Sequence, residues 1–186
     1  MFVLRVDQDV ILKLRDKDHA KETFALIQKN RVYLREWLNW VDKVQTIKDS
    51  IDNIVLNEEE WEMQTDLHLG IFKGKEMIGM ISLHGINYIN HNASIGYWID
   101  RSHEGKGIMT ACVSKLIEYG FEELKLHRIE IRAGVQNHKS RAIPERLGFS
   151  FEGVARAWEF LYDHYIDLAV YSLLKDEYKP FKRKLT

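Results

Sequence analysis

Residues 96–119 read GYWIDRSHEGKGIMTACVSKLIEY. An apolar run, GYWID, ends in a turn that carries glycines on either side of Lys106, and a helical run opens at once. A strand that empties through a glycine turn into a helix start points several unpaired backbone N–H groups at one spot, and the helix dipole makes that spot favourable for an anion. The stretch therefore predicts a phosphate-binding corner between a strand and a helix. Two other loop designs fail on spacing. A P-loop needs Lys-Ser or Lys-Thr spaced from its glycines as GxxxxGK[ST], and the dinucleotide fingerprint GxGxxG needs a third glycine where this chain has Thr110.

Working outward, DLHLGIFK (66–73) and EMIGMISLHG (76–85) predict a hairpin turned at Gly74-Lys75, with NASIGYWID (92–100) as a third neighbour. Further upstream, VILKLR (10–15) alternates as a first strand, and Asp16 or Asp18 can cap a helix over HAKETFALIQKN (19–30). RVYLREWLNWV (31–41) reads as a second helix with Leu34, Trp37, Leu38 and Val41 on one face. Residues 46–65 read as a third, with Ile47, Ile51, Ile54 and Val55 as its apolar side. Downstream of the glycines the pattern predicts a helix over about 107–119 and a strand over HRIEIRAGV (127–135). It then predicts a short helix over SRAIPERLG (140–148), closed by Gly148, and two long β runs, FSFEGVARAWEF (149–160) and HYIDLAVYSLL (164–174). The layout is α/β with a mostly antiparallel sheet in its first half, not the βαβ alternation of a doubly wound fold.

A chain of 186 residues suits one domain, placed at 1–178, followed by a basic tail at 179–186 (KPFKRKLT). With 45% hydrophobic and 30% charged residues the chain is neither disordered nor fibrous, and a net charge of -1 argues against DNA as a partner. Cys112 stands alone, so no internal disulfide is expected, and no signal-peptide pattern opens the chain; a cytoplasmic location is expected. No apolar run reaches the roughly 18 residues of a membrane helix.

The segment Ser102-His103-Glu104-Gly105-Lys106-Gly107 resembles the acetyl-CoA loop of the GNAT superfamily of N-acetyltransferases, R/Q-x-x-G-x-G/A, with Ser102 in place of the usual Arg or Gln and Arg101 one position earlier. Asn137, Ser140 and ERLGF (145–149) resemble the N-x-x-S and Leu-Gly-Phe segments of the same superfamily. WLNW (37–40), IGYWID (95–100), SHEGKGI (102–108) and EFLYDHY (159–165) are together similar to the RimJ/RimL branch, the ribosomal-protein N-acetyltransferases, and within it to the RimL type. The resemblance implies the GNAT fold: a mixed, mostly antiparallel sheet, splayed at its centre and flanked by helices, with acetyl-CoA wedged between two diverging parallel strands. It implies direct transfer of acetyl to a primary amine, without an acyl-enzyme. The diphosphate would rest on backbone N–H groups of His103, Glu104, Gly105, Lys106, Gly107, Ile108 and Met109, helped by Lys106 or Arg101, and the Trp98 and Ile99 N–H groups would hold the acetyl carbonyl and the pantetheine arm. Asn137 would bond that arm as well. Ser140 would assist the departing thiolate, and Glu159 would take the proton from the amine.

The residues leave competing readings open. Asn137 also suits a loop cap, and Ser140 also suits the N-cap of the 140–148 helix. Glu159, between Trp158 and Phe160, is either partly desolvated, which raises its pKa, or turned to water by strand alternation. Cys112 falls with Met109, Leu116 and Ile117 on an apolar helix side and is expected in the core. His103 and His164 are poorly placed as bases, and no group of His, Cys or carboxylates has metal-ligand spacing, so no metal is expected. Trp37 and Trp40, three apart, would share a helix face that packs in the core or lines the acceptor groove. The expected acceptor is the N-terminal amino group of a ribosomal protein. Alternatives are a small amine such as a polyamine or an aminoglycoside, for which EEEWE (58–62) offers acids, and a non-catalytic CoA-binding sensor. A homodimer is implied by the family, with β edges near the C-terminus as its surface.

Overall fold

Pairing of strands begins one element earlier than the periodicity predicts. The computed structural model describes residues 2–181, so the expected basic tail lies outside the described residues from position 182 onward. The strands are β1 (Val3–Arg5), β2 (Val10–Leu14), β3 (Leu67–Lys73), β4 (Glu76–Asn87), β5 (Asn92–Ile99), β6 (Arg128–Gly134), β7 (Ser150–Leu161) and β8 (His164–Leu174). They form one sheet in the order β1-β2-β3-β4-β5-β6-β8-β7. β1, three residues on an edge, is too short to carry a period. The α-helices are α1 (Ala20–Arg35), α2 (Ile47–Glu62), α3 (Ile108–Glu122) and α4 (His138–Arg146).

The expected separate helix over 31–41 does not form. Nothing at residue 30 caps a new start: the Asn30 side chain donates to the Leu26 carbonyl at 3.0 Å inside a continuous α1. The helix closes with the Trp37 and Leu38 N–H groups on the Leu34 carbonyl. Trp37 and Trp40 therefore lie in turns ahead of a short 3-10 segment, Val41–Lys43, and share no helix face. In α2, Thr46 and Asp49 form a capping box, but the buried line is Ser50, Ile54 and Asn57, while Ile47 is exposed. The apolar pattern misses this because the buried side is partly polar. Arg15 is buried beneath it, and its guanidinium donates to Asn57 at 2.6 Å and Asn53 at 3.1 Å.

Alternation along the strands sorts the core into two layers. Phe72, Met77 and Trp98 pack on one face with Leu26, Ile27 and Leu34 of α1. Ile71, Ile81, Ile95 and Ile99 pack on the other with Ile108, Cys112, Leu116 and Phe121 of α3. Each such side chain contributes about 1.5–3 kcal/mol when fully buried. Cys112 sits in this layer, as expected. α3 is thus clamped along its length, which fixes the position of its N-terminus.

All neighbouring strands are antiparallel except β5 and β6. Those two pair in parallel from Asn92↔Arg128 to Ile95↔Ile131 and then part. Beyond that point β5 continues on β4, and β6 continues on β8. A fork opens between residues 96–99 and 132–134. Trp37 stands as a wedge at its β6 side, where a Cβ on Gly134 would come within 3.1 Å of the indole.

Candidate active site

The fork widens into a cleft of about 950 Å³, lined by both parted edges, the glycine turn and the start of α4. Every residue nominated from the sequence borders it: Trp98, Ile99, His103 to Met109, Asn137, Ser140 and Glu159.

The turn is built from Asp100 outward. The buried Asp100 carboxylate accepts from the Ser102 N–H at 3.3 Å, the Ser102 hydroxyl at 3.0 Å and Lys29 Nζ at 2.5 Å. Burial pushes this carboxyl up, but the bonds from Lys29 and Ser102 outweigh it and hold the pKa at about 2. Ser102, in place of the usual Arg or Gln, therefore braces the loop from behind. The Arg101 N–H donates to Asn30 Oδ1 at 3.1 Å, tying the same corner to α1. Gly105 and Gly107 have φ of 72° and 71°, the left-handed region that glycine adopts without strain. A Cβ on Gly105 would meet no protein atom within 4 Å, so its side chain would project into open space. The first helical bond of α3 runs from the Ala111 N–H to the Gly107 carbonyl at 3.1 Å, which leaves the Ile108, Met109 and Thr110 N–H groups ahead of the ladder.

Of the two cationic helpers, Arg101 borders the cleft, and Lys106 folds back to donate to the Ser102 carbonyl at 2.9 Å. Three further cations border it that sequence reasoning did not nominate, Arg132, Lys139 and Arg146. Arg146 donates to Thr110 Oγ1 at 2.8 Å beside the α3 N-terminus, and Lys139 pairs with Glu104 at 2.7 Å. Tyr33 of α1 also bonds Glu104. These contacts join elements far apart in the chain, and no local pattern announces them.

At the fork, the Asp100 N–H donates to the Ile78 carbonyl at 2.7 Å. Alternation then turns the Trp98 N–H toward β4 as well, and the Tyr97 and Ile99 N–H groups toward the open side. This corrects the expectation for Trp98, whose amide stays in the ladder and whose ring packs with Trp40 at 6.3 Å between centroids. Asn137 is the N-cap of α4: its Oδ1 accepts from the Ser140 N–H at 3.1 Å. Ser140 lies inside the helix and does not cap it, because the helix starts at His138, two residues earlier than predicted. The Ser140 hydroxyl is 3.4 Å from the Tyr97 hydroxyl, which itself donates to the Ser140 carbonyl at 2.9 Å. Burial pushes the Tyr97 phenol up, so it keeps its proton.

Glu159 borders the cleft from β7 and is half-buried, and burial raises its carboxyl above the usual range. The flanking aromatics are not the cause, since Trp158 and Phe160 are 59% and 49% exposed. A bulge decides the direction of Glu159. The β7–β8 register shifts between Ala155 and Glu159, Ala157 has a φ of 48°, and its N–H is held by Asp167 Oδ1 at 2.7 Å. His103 borders the glycine turn, whereas His164 sits on the exposed β7–β8 turn beside Asp163. Of the expected acceptor groove, Trp37 borders the cleft, and residues 58–62 do not.

Comparison with known proteins agrees with this geometry. A family model described as the acetyltransferase (GNAT) domain matches residues 9–150. The chain is 38% identical over 186 residues to YdaF of Bacillus subtilis (strain 168), covering 98% of this chain and 100% of that protein. It is 33% identical over 177 residues to the ribosomal-protein-serine acetyltransferase of Escherichia coli (strain K12), covering 93% and 97%. A solved structure of RimL, the ribosomal L7/L12 alpha-N-protein acetyltransferase, in complex with coenzyme A superposes with a TM-score of 0.91 at 28% identity, covering 95% of this chain and 99% of that one.

Proposed function

The chain belongs to the GNAT acetyltransferase family and is an acetyl-CoA-dependent N-acetyltransferase, and from that premise we propose that its acceptor is the N-terminal α-amino group of a ribosomal protein. The cleft suits the donor. Its glycine turn and the free N–H groups of α3 form a cradle for a diphosphate, and the unladdered Tyr97 and Ile99 amides suit the carbonyls of an acetyl-pantetheine arm. Asn137, with its Oδ1 engaged as a cap, keeps its amide NH₂ to donate to the same arm. Acetyl-CoA supplies an activated thioester, so no nucleophile on the protein is required.

The observation that carries the reading is that Glu159 and Ser140 border one cleft. Glu159, its carboxyl raised toward working pH by burial, takes the proton from the acceptor ammonium and leaves a neutral amine. The Ile99 N–H stabilises the carbonyl oxygen as negative charge develops on it. The Ser140 hydroxyl, 3.4 Å from the Tyr97 hydroxyl, turns its proton from Tyr97 to the departing sulfur. An extended N-terminus enters past Trp37. Such a substrate places the enzyme in the cytoplasm. The test is to offer acetyl-CoA with ribosomal-protein N-terminal peptides, the same peptides blocked at the α-amine, a polyamine and an aminoglycoside, and to follow thiol release and product mass. Acetylation at the free α-amine alone is expected. Turnover of the polyamine or aminoglycoside in preference to every peptide overturns the assignment.

The same reading makes the assembly a homodimer through β7, the sheet's outer strand, which exposes Phe151, Val154, Trp158 and Phe160.

A further inference from the structure

On the α2 side of the sheet, pairing of β3 with β4 sets His68 opposite Ser82, and His84, two residues along, on the same face. Asp66 precedes β3, and Glu60 lies in the last turn of α2. Ligand atoms of Asp66, His68 and His84 all lie within 4.8 Å of one another. His84 Nδ1 is 3.3 Å from Asp66 Oδ1, and His68 Nε2 is 3.0 Å from Glu60 Oε2. Ligands about 2.0–2.1 Å from a tetrahedral zinc stand about 3.3 Å from each other, so the His84–Asp66 pair already has the spacing of a coordination edge.

Each donor is held from behind, as metal ligands are. Ser82 Oγ is 2.9 Å from His68 Nδ1, the Gly85 N–H donates to Asp66 Oδ1 at 3.1 Å, and Asn57 Nδ2 donates to Glu60 Oε2 at 3.2 Å. The telling atom is His68 Nε2. It is buried and has no hydrogen-bond partner, although Glu60 Oε2 lies 3.0 Å away. Buried polar atoms are rarely left so, and a bound ion would complete it. Arg15, which reaches the cluster through Asn57, brings one positive charge against the two carboxylates, leaving net negative charge for a dication.

We propose that Asp66, His68 and His84, with Glu60 beside them, form a site for a divalent transition-metal ion of the zinc class. Two imidazoles with carboxylates suit such an ion better than the all-oxygen shells of calcium or magnesium. None of the four borders the cleft, and the acetyl-transfer chemistry does not use them. The ion would pin the turn ahead of β3 to β3 and β4. It would do so behind the fork, since His84 Nε2 lies over Gly96, the first β5 residue beyond the parallel pairing.

The test uses the full chain stripped with EDTA and titrated with Co²⁺, then Zn²⁺. One equivalent of Co²⁺ should give the intense visible absorption of a tetrahedral ion, Zn²⁺ should displace it, and the melting temperature should rise with either. His84→Asn, at the outer side of the cluster, should weaken uptake by about 10-fold or more while acetyl-CoA binding stays unchanged. His68→Asn, checked for folding by acetyl-CoA binding, should abolish it. Absence of the tetrahedral spectrum overturns the proposal, as does wild-type uptake in both His84→Asn and an Asp66→Asn/His84→Asn double variant.

Discussion

Glu159, the base proposed above, is held at the expense of stability. Its carboxyl is raised by burial, so the folded state holds the proton more tightly than the unfolded chain. The sign follows: its contribution is favourable below the unfolded pKa and is lost as pH rises through the folded pKa, so at neutral pH the ionised group destabilises the fold. Glu159→Gln is therefore expected to melt higher than the wild type at pH 7, while kcat falls about 100-fold or more and acetyl-CoA affinity holds. Calorimetry and steady-state kinetics on one preparation check both halves; a loss of cofactor affinity equal to the loss of rate would make the residue structural. Asp100 has the opposite sign. Held at about 2 against an ordinary 3.8, it stabilises the fold above the unfolded pKa, and that contribution, about 2 kcal/mol, disappears between roughly pH 4 and 2. Asp100→Asn is expected to lower stability by about that amount at pH 7, seen by denaturant titration, and to flatten its acid dependence. At this scale the sequence nominates side chains that border the cleft but leaves their tasks open. Asn137 and Ser140 were each open to a capping role, and only the observed helix start at His138 assigns the cap to Asn137. The direction of Glu159 was undecidable by alternation, because alternation fails at the bulge around Ala157.

Elements with one dominant local cause are those the sequence foretells. Paired left-handed glycines followed by a helix produce the expected turn, and Gly105→Val tests it. The variant places a β-branched residue at φ 72° and a side chain in the cradle, so acetyl-CoA affinity should fall about 10-fold or more by isothermal titration, with a loss of about 1–3 kcal/mol in stability. Where tertiary contacts compete with local pattern, prediction gives way. Residues 31–41 read as a helix of their own, yet Arg31 donates to the Val41 carbonyl at 2.9 Å and draws the chain after α1 back into turns. The buried face of α2 was misassigned because it is chosen by Arg15, a charge 38 and 42 residues away in sequence from its partners Asn53 and Asn57. The histidine-carboxylate cluster was invisible for the same reason. Its donors come from β3, β4 and the turn ahead of β3, and no spacing rule spans a strand pairing.

At the scale of the whole molecule, the sheet ends on a long outer strand with apolar side chains in water. If β7 joins a second copy, sedimentation equilibrium should give a dimer, and the double variant Val154→Lys/Phe160→Lys should sediment as a monomer that still binds acetyl-CoA. The splayed sheet was foreseen only through family resemblance, since hydrophobic alternation cannot tell where two parallel strands stop touching. That stopping point has a mechanical meaning. The first five strands form one continuous meander and the last three a separate patch, and the backbone stitching between them amounts to four rungs, 92–95 against 128–131. The molecule thus carries a tear line through its middle, and a coenzyme lodged across it acts as a rivet. Amide exchange at Ile129 and Ile131, deep in the core and away from the cleft wall, should slow when the rivet is in place.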